Sequence, residues 1–252
     1  MADITLYEPR EEHVVVAAAP ELHIDPRFTQ HMLGWYRGLE PLPLSQAFPD
    51  PTRAAVFSTD LIVGFAYEGR LASPRVAALV PGAVDLFKRA HAYGVRRFLM
   101  AHDAHSPNAP EFAAWGRHCE RGTREADTVP ELAELPFSAD YTVIEKNSLS
   151  QAIATGLEGW LREHREASDF VVIGDCTDLC VYQAAMFLRM QANALDIQDR
   201  RVIVPANLVD TFDFPLDTAM RMGAMPHPGD FFHLVFLYHM AMNGIQVVRA
   251  IV

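Results

Sequence analysis

The sequence has no apolar run approaching the roughly 18 residues that a membrane-spanning helix needs, so no such helix is expected. Basic residues are few, with 21 Lys and Arg against 32 Asp and Glu and a net charge of −11. An acidic surface repels phosphate backbones, which argues against a nucleic-acid partner. Only three cysteines are present, which is a poor disulfide framework and indicates a reducing compartment.

The N-terminus also lacks the pattern of a secretory signal. Its apolar stretch from Val14 to Pro20 is short, and acidic residues as well as Arg10 precede it. Together with the cysteine count, this predicts a cytoplasmic protein with neither a membrane nor a nucleic-acid partner.

The composition is otherwise that of a folded enzyme-sized domain. Half of the 252 residues are apolar and 21% are charged, which excludes a disordered acidic tail. Proline and glycine, 17 and 14 residues, are too few for a collagen-like or low-complexity chain. Residues 1–50 are rich in proline and have no sustained periodicity, so we predict an N-terminal extension over 1–50 and a domain over 51–252.

After Pro51, apolar runs alternate with segments of helical spacing. The predicted strands are 54–59, 97–101, 141–144, 170–173, 202–204 and 245–252, and the predicted helices are 29–39, 83–93, 149–164, 178–194, 217–222 and 230–242. This alternation predicts βαβ units and an open parallel α/β sheet. Ligands of such sheets bind beyond the carboxyl ends of the strands, so chemistry is expected in the residues that follow each strand.

A cysteine, Cys180, lies in the first turn of the helix predicted after the fourth strand. The positive end of a helix dipole favours the thiolate, and free amides at that turn can face a developing oxyanion. The alternative is a buried and inert cysteine, which is the usual fate of this residue type. A redox pair with Cys176 is a further hypothesis, although the spacing is not that of the common C-x-x-C motif.

A second group of residues has the composition of a metal site. Asp103, His105 and His118 form a carboxylate and two-imidazole set that suits zinc, iron or manganese and leaves positions open for substrate. Glu111 lies between them as a fourth ligand or as a partner of a ligand. The alternative interpretation is an ordinary polar loop with surface histidines.

Two charged residues, Asp60 and Lys146, each follow an apolar run. Taken singly, each is explained as a loop charge or a helix cap. Beside a thiol, a carboxylate can take its proton and an ammonium can stabilise the anions that form. Phe65 and Trp115 are explained either as core aromatics or as walls of a flat pocket.

These residues together resemble the isochorismatase-like cysteine hydrolases, and the likeness extends over residues 53–207. The motifs are VFSTDL at 56–61, Lys146 after a strand, and TDLCV at 177–181. The runs DAHSPNAPEF at 103–112 and WGRHCERGT at 115–123 resemble the nicotinamidase branch. The resemblance is specific because separate motifs occur in the family's order.

The resemblance implies a Rossmann-like open parallel six-stranded sheet with helices on both faces. It implies an Asp60–Lys146–Cys180 triad, and an oxyanion hole formed by the amides of Cys176 and Cys180 after a cis peptide between Asp175 and Cys176. The resemblance further assigns a divalent metal, with zinc expected first and iron or manganese as alternatives, and an aromatic pair around the substrate ring. The metal ligands would be Asp103, His105, His118 and Glu111, and the aromatic pair Phe65 and Trp115.

The expected function is therefore hydrolysis of nicotinamide to nicotinic acid and ammonia by a homo-oligomer. Two departures leave the substrate open: LIVGF at 61–65 replaces a polar run, and GRHC at 116–119 replaces Pro-Pro-His-Cys. The alternatives are an amidase acting on a carbamoyl or ureido compound, a vinyl-ether hydrolase, and a non-catalytic ligand- or metal-binding protein.

Overall fold

A parallel β-sheet forms the centre of the protein, for which a computed structural model describes residues 19–252. Its strands are β1 (Ala54–Thr59), β2 (Arg97–Asp103), β3 (Thr142–Lys146), β4 (Asp169–Asp175), β5 (Arg201–Pro205), β6 (Val209–Asp210) and β7 (Gln246–Val248). The main order is β3-β2-β1-β4-β5-β7, and the two-residue β6 pairs with the end of β4. The predicted open parallel α/β sheet is confirmed, with β6 as a short addition to six strands.

Helices follow most strands and cover both faces of the sheet. They are α1 (Pro26–Arg37), α2 (Leu44–Ala47), α3 (Val63–Ala66), α4 (Pro74–Ala77), α5 (Val80–Tyr93), α6 (Phe112–Trp115), α7 (Pro130–Ala133), α8 (Leu157–Glu163), α9 (Cys180–Ala194), α10 (Leu216–Met222) and α11 (Gly229–Met242). None of the helices in residues 19–252 has the length and apolarity required to cross a membrane.

The core consists of two apolar layers, one on each face of the sheet. Every residue of β1 is buried, because neighbouring strands flank it and helices cover it on both sides. Successive side chains point to opposite faces, so Val56 packs in the layer of Phe87 from α5, whereas Phe57 packs in the layer of Val181 and Leu188 from α9.

The helix predicted over 149–164 is shorter in the structure, where α8 begins at Leu157. Hydroxyl groups explain the difference: Ser150 Oγ accepts from the Ala152 amide at 3.3 Å, and Thr155 Oγ1 accepts from the Leu157 amide at 3.3 Å. Side chains that bond nearby backbone amides offer the chain an alternative to helical hydrogen bonds. The resulting loop leads directly away from the end of β3.

The described part of the N-terminal segment is attached to the last elements of the chain. Helix α1 packs against α11, and Leu42 forms a parallel bridge with Ile251. Ala47 and Phe48 are completely buried in the core. The predicted division at residue 50 stays a prediction, and residues 1–18 lie outside the described part of the chain.

Candidate active site

Four charged side chains collect at one edge of the sheet because of the strand order. Asp60 follows β1, Asp103 ends β2, Lys146 ends β3 and Asp175 ends β4, and these strands are neighbours in the order β3-β2-β1-β4. Parallel pairing places Asp103 directly beside Lys146. The carboxyl edge of the sheet therefore holds the predicted cluster, as open α/β sheets favour.

Backbone geometry fixes the Asp60 carboxylate. The residue has a φ of 55°, in the left-handed region, and its amide donates to the Ala101 carbonyl at 2.8 Å. Its Oδ1 accepts from the Asp103 amide at 2.7 Å. With one oxygen held by the neighbouring strand, Oδ2 is left to face Lys146.

The Lys146 ammonium lies at the centre of the cluster. Its Nζ is 2.9 Å from Asp60 Oδ2, contacts Asp103 Oδ1, and is 3.4 Å from Cys180 Sγ. The lysine side chain is fully buried, so water does not screen these charges. Lys146 thus joins the carboxylate and the thiol that the sequence predicted as partners.

Cys180 is the first residue of α9, and its thiol faces Lys146 and the two carboxylates. Single ligand-type atoms of Asp60, Asp103 and Cys180 all lie within 4.8 Å of one another. No hydrogen bond within residues 19–252 is donated by the amides of Cys176 or Cys180. The peptide bond between Asp175 and Cys176 is cis, as the resemblance implies.

Burial and charge set the protonation of the cluster. Burial raises the pKa of Asp60 to about 6, against the opposing pull of Lys146. Burial also raises the pKa of the Cys180 thiol well above its usual range. Burial opposes the charged form of Lys146, but Asp103 and Asp60 outweigh it and raise the pKa of the ammonium well above its ordinary value. The resting site is therefore a neutral thiol beside a carboxylate base and a fixed cation.

The four predicted metal ligands come together next to this cluster. Asp103, His105, Glu111 and His118 each offer an atom, and these atoms lie within 4.8 Å of one another. Both ring nitrogens of His105 are buried and have no hydrogen-bond partner in the described residues. His118 Nδ1 donates to the Gly116 carbonyl at 2.8 Å, which leaves Nε2 to bind a cation.

The chemistry of this donor set fits a divalent transition metal. Two imidazoles and two carboxylates are ligands that zinc, iron and manganese accept. Burial and the charge of Asp103 raise the pKa of Glu111, so the carboxylates crowd one another. A bound cation would satisfy one nitrogen of His105 and relieve this crowding.

The two predicted aromatic walls are placed differently. The Phe65 ring lies 5.9 Å from the His118 ring, beside the metal ligands. Trp115 instead meets Phe212 edge to face at 5.8 Å, and within the described residues it makes no ring contact with Phe65. Phe212 comes from the segment after β6, which the sequence did not connect with the site.

Sequence reasoning also missed polar groups that surround Cys180. Gln151 Nε2 donates to the Cys180 carbonyl at 2.9 Å. Thr177 and Asp178 bond to His233 and His227, which lie 56 and 49 residues further along the chain. No spacing signal could reveal pairs at such separations, although Gln151 does follow the polar end of β3.

Comparisons with known proteins agree with this fold. Residues 54–219 match the family model described as the isochorismatase domain. "Nicotinamidase 1" of Arabidopsis thaliana is 32% identical over 161 residues, which are 59% of this chain and 64% of that protein. The match therefore spans less than two thirds of the length of that curated relative.

Solved structures extend the likeness. N-carbamoylsarcosine amidase from Thermoplasma acidophilum has a TM-score of 0.58 at 25% identity, and the match covers 79% of this chain and 96% of that one. Pyrazinamidase of Pyrococcus horikoshii in complex with zinc has a TM-score of 0.60 at 21% identity, covering 78% and 99%. At this identity the second comparison supports the fold alone.

The fold and the comparisons together define a protein of the isochorismatase type, built on a parallel α/β sheet. The chain belongs to the isochorismatase family, since that family model matches most of its length.

Proposed function

We propose that the protein hydrolyses a carboxamide through Cys180, with nicotinamide as the leading substrate. The observation that carries this proposal is the position of Lys146 Nζ, 2.9 Å from Asp60 and 3.4 Å from Cys180, beside a ready set of metal ligands. The likeness to a plant nicotinamidase supports the choice of substrate. The proposal includes the specific amide and the metal ligands. It also includes the catalytic roles of Asp60, Lys146 and Cys180.

In the first half of the reaction, Asp60 takes the proton of Cys180 and the sulfur attacks the carboxamide carbon. The amides of Cys176 and Cys180 hold the oxyanion that forms. The protonated Asp60 then donates to the departing nitrogen, and ammonia leaves. A carboxyl group whose pKa is about 6 suits both tasks, because it binds and releases a proton near neutral pH.

In the second half, Asp60 takes a proton from water, which attacks the thioester carbon. The C–S bond breaks, the carboxylic acid is released, and the proton returns to the sulfur. Lys146 keeps the carboxylate and the thiolate in place in both halves, because its ammonium contacts both groups. General acid–base transfer alone contributes only about 10²–10⁴-fold, so the covalent step and the oxyanion amides must supply the remainder.

A divalent metal would be held by Asp103, His105, Glu111 and His118. When bound, it supplies a Lewis acid that can attract a ring nitrogen and so orient a pyridine amide. Zinc is the proposed ion, and iron and manganese are the alternatives, because the ligand set accepts all three.

The aromatic residues near the ligands suit a flat substrate. The Phe65 ring lies beside the ring of His118. Trp115, three residues before His118 in the chain, packs against Phe212. We propose that the two rings are walls for a planar amide, since aromatic faces favour flat ring systems.

The second candidate is hydrolysis of a carbamoyl or ureido amide. Leu61 and Ile62 are fully buried and Val63 is 2% exposed, so the run that follows Asp60 offers a substrate no polar side chain. The fold is also similar to that of N-carbamoylsarcosine amidase. A carbamoyl compound would present the same carbonyl carbon to Cys180.

Ammonia release from nicotinamide, pyrazinamide and N-carbamoyl amines separates these functions. The assay is run on metal-free and metal-restored protein, with Cys180→Ala as the control. Preference for nicotinamide supports the leading proposal, and preference for a carbamoyl amine supports the second. Ligand-induced stabilisation without ammonia release would indicate a binding protein instead.

A homo-oligomer and a cytoplasmic location complete the proposal. Both are carried over from the sequence analysis, and size-exclusion chromatography with light scattering tests the first of them. Fractionation of the producing cells tests the second.

A further inference from the structure

The segment of residues 211–233, here called the C-terminal strap, binds the turn that precedes the nucleophile. Thr177 and Asp178 lie between Cys176 and Cys180, whose amides form the proposed oxyanion site. Thr177 Oγ1 is 2.9 Å from Nδ1 of His233, and Asp178 Oδ2 is 2.8 Å from Nε2 of the strap's other histidine. Two of the three residues between Cys176 and Cys180 are therefore held from outside their own loop.

Three contacts within the strap hold that other histidine, His227, in place. Its Nδ1 is 2.9 Å from the Phe212 carbonyl, and its ring stacks on the Phe212 ring at 3.8 Å and 17°. Its backbone forms an antiparallel bridge with Phe214, with hydrogen bonds of 2.8 and 3.0 Å. The Phe212 carbonyl can only accept, so Nδ1 donates to it, and Nε2 lies at hydrogen-bonding distance from the Asp178 carboxylate.

Asp178 depends on this bond. Its side chain is 5% exposed, and its Oδ1 is buried without a hydrogen-bond partner among the described residues. Within residues 19–252, His227 is thus the one hydrogen-bond partner of the carboxylate. A buried carboxylate that loses its partner is costly to keep in place, so the turn must move when His227 is removed.

We propose that His227 is a positioning residue for the oxyanion site: through Asp178 it holds the turn so that the amides of Cys176 and Cys180 point at one position. This inference rests on the proposed function. Misaligned oxyanion donors lower kcat. Loss of one such donor costs about 10²–10³-fold, so partial misalignment is expected to lower kcat about tenfold to a hundredfold. A change in KM would instead report the loss of the ring stacked on Phe212, which contacts Trp115.

Two variants of similar size separate the Asp178 bond from the Phe212 bond. In His227→Gln the amide nitrogen takes the place of Nε2 and keeps the donor to Asp178. In His227→Asn it takes the place of Nδ1 and keeps only the donor to Phe212. We expect the Gln variant to retain most of kcat and the Asn variant to behave as His227→Ala does. His239→Ala is the matched control, because His239 is exposed on α11 and bonds Tyr182 rather than the turn.

Two reagents test the same geometry without turnover. An aldehyde adds to Cys180 Sγ: the C–S bond forms, the carbonyl π electrons move to oxygen, and that oxygen takes the thiol proton, so the adduct needs the oxyanion site. Iodoacetamide forms a C–S bond as iodide leaves and the thiol proton passes to a base, so it needs no oxyanion site. The probes are pyridine-3-carboxaldehyde and propionaldehyde, measured by the protection that each gives Cys180 against iodoacetamide.

We expect the Ala and Asn variants to weaken aldehyde protection at least tenfold while the rate of alkylation by iodoacetamide stays within about twofold of wild type. Wild-type behaviour of the Ala variant, rescue by Asn as good as by Gln, or a parallel fall in alkylation would each overturn the inference. If the wild-type protein releases no ammonia from any amide, the proposed function fails, while propionaldehyde protection still reports on the oxyanion site. Protection of the wild-type protein by neither aldehyde would overturn both.

Discussion

The Asp60–Lys146–Cys180 cluster and the set of candidate metal ligands share Asp103 but differ in how their charges are balanced. In the first, the Lys146 ammonium balances Asp60 and Asp103 and reaches the thiol. In the second, both nitrogens of His105 are buried without a partner. The first cluster thus carries its own cation, the Lys146 ammonium, whereas the second presents buried imidazole nitrogens that a bound cation could contact.

The largest effect is expected from replacing Cys180, the proposed nucleophile of the Asp60–Lys146–Cys180 cluster. Cys180→Ala should reduce ammonia release to background, because no other sulfur lies in the Asp60–Lys146 cluster of the described residues. The protein should stay folded, since alanine fits where the thiol was, and circular dichroism and thermal unfolding check this. Turnover above background in this variant would remove the covalent mechanism.

Cys176→Ala provides the matched control for that experiment. It keeps the backbone amide that the oxyanion proposal uses, so turnover should fall no more than several-fold. A redox pair with Cys180 would instead need the Cys176 thiol itself, and loss of all activity here would favour that reading.

Removing the central cation should destabilise the protein. Lys146→Met leaves two buried carboxylates without their partner, and breaking a buried ion pair in this way costs about 3–5 kcal/mol. Urea unfolding measures the loss. Arg121→Ala is the control, because its ion pair with Glu145 is exposed and should contribute less than about 1 kcal/mol. Equal effects of the two variants would contradict the expectation that the buried ion pairs of Lys146 stabilise the fold more than an exposed pair does.

Metal removal tests the set of candidate metal ligands. Chelation should lower the melting temperature and reduce amide turnover, and zinc should restore both, since an ion at 100 times its Kd adds about 2.7 kcal/mol. His105→Ala should abolish the response to zinc. Alkylation of Cys180 by iodoacetamide should continue in the metal-free protein, because Asp60 and Lys146 need no ion. If chelation stopped alkylation as well, the two clusters would not be independent.

The smallest effect is expected at the aromatic wall. Trp115→Ala should raise the KM for nicotinamide about two- to tenfold, because a ring contact contributes about 0.5–1.5 kcal/mol. Trp115→Phe should recover most of this affinity. Steady-state kinetics on both variants decides, and an unaltered KM in Trp115→Ala would place the substrate elsewhere.

Much of this arrangement follows from local sequence. The run at 54–59 begins with four apolar residues and contains the β-branched Val56 and Thr59, and it forms a strand with the predicted bounds. Asp60, Asp103, Lys146 and Cys180 could be proposed as one site because parallel strands end at a common edge. The helix predicted over 149–164 was too long, because hydroxyl groups near Ser150 and Thr155 compete with helical hydrogen bonds.

Contacts between distant segments had no local signal. The contact between Trp115 and Phe212, from the segment after β6, is one example that the sequence did not predict. No pattern in the sequence indicated a partner for His227. It reaches Asp178 because the C-terminal strap folds back over the turn before α9. The spacing of residues along one element carries no information about such pairs.

The alternation of the six main strands with the longer helices, and the residues at the strand ends, could be predicted from the sequence alone, since periodicity and residue type act locally. Tertiary structure decided that Lys146 balances two carboxylates, that His105 is left without a partner, and that His227 holds the turn before the nucleophile. The reason is physical: burial and charge pairing depend on which surfaces meet, and only the folded chain specifies those meetings.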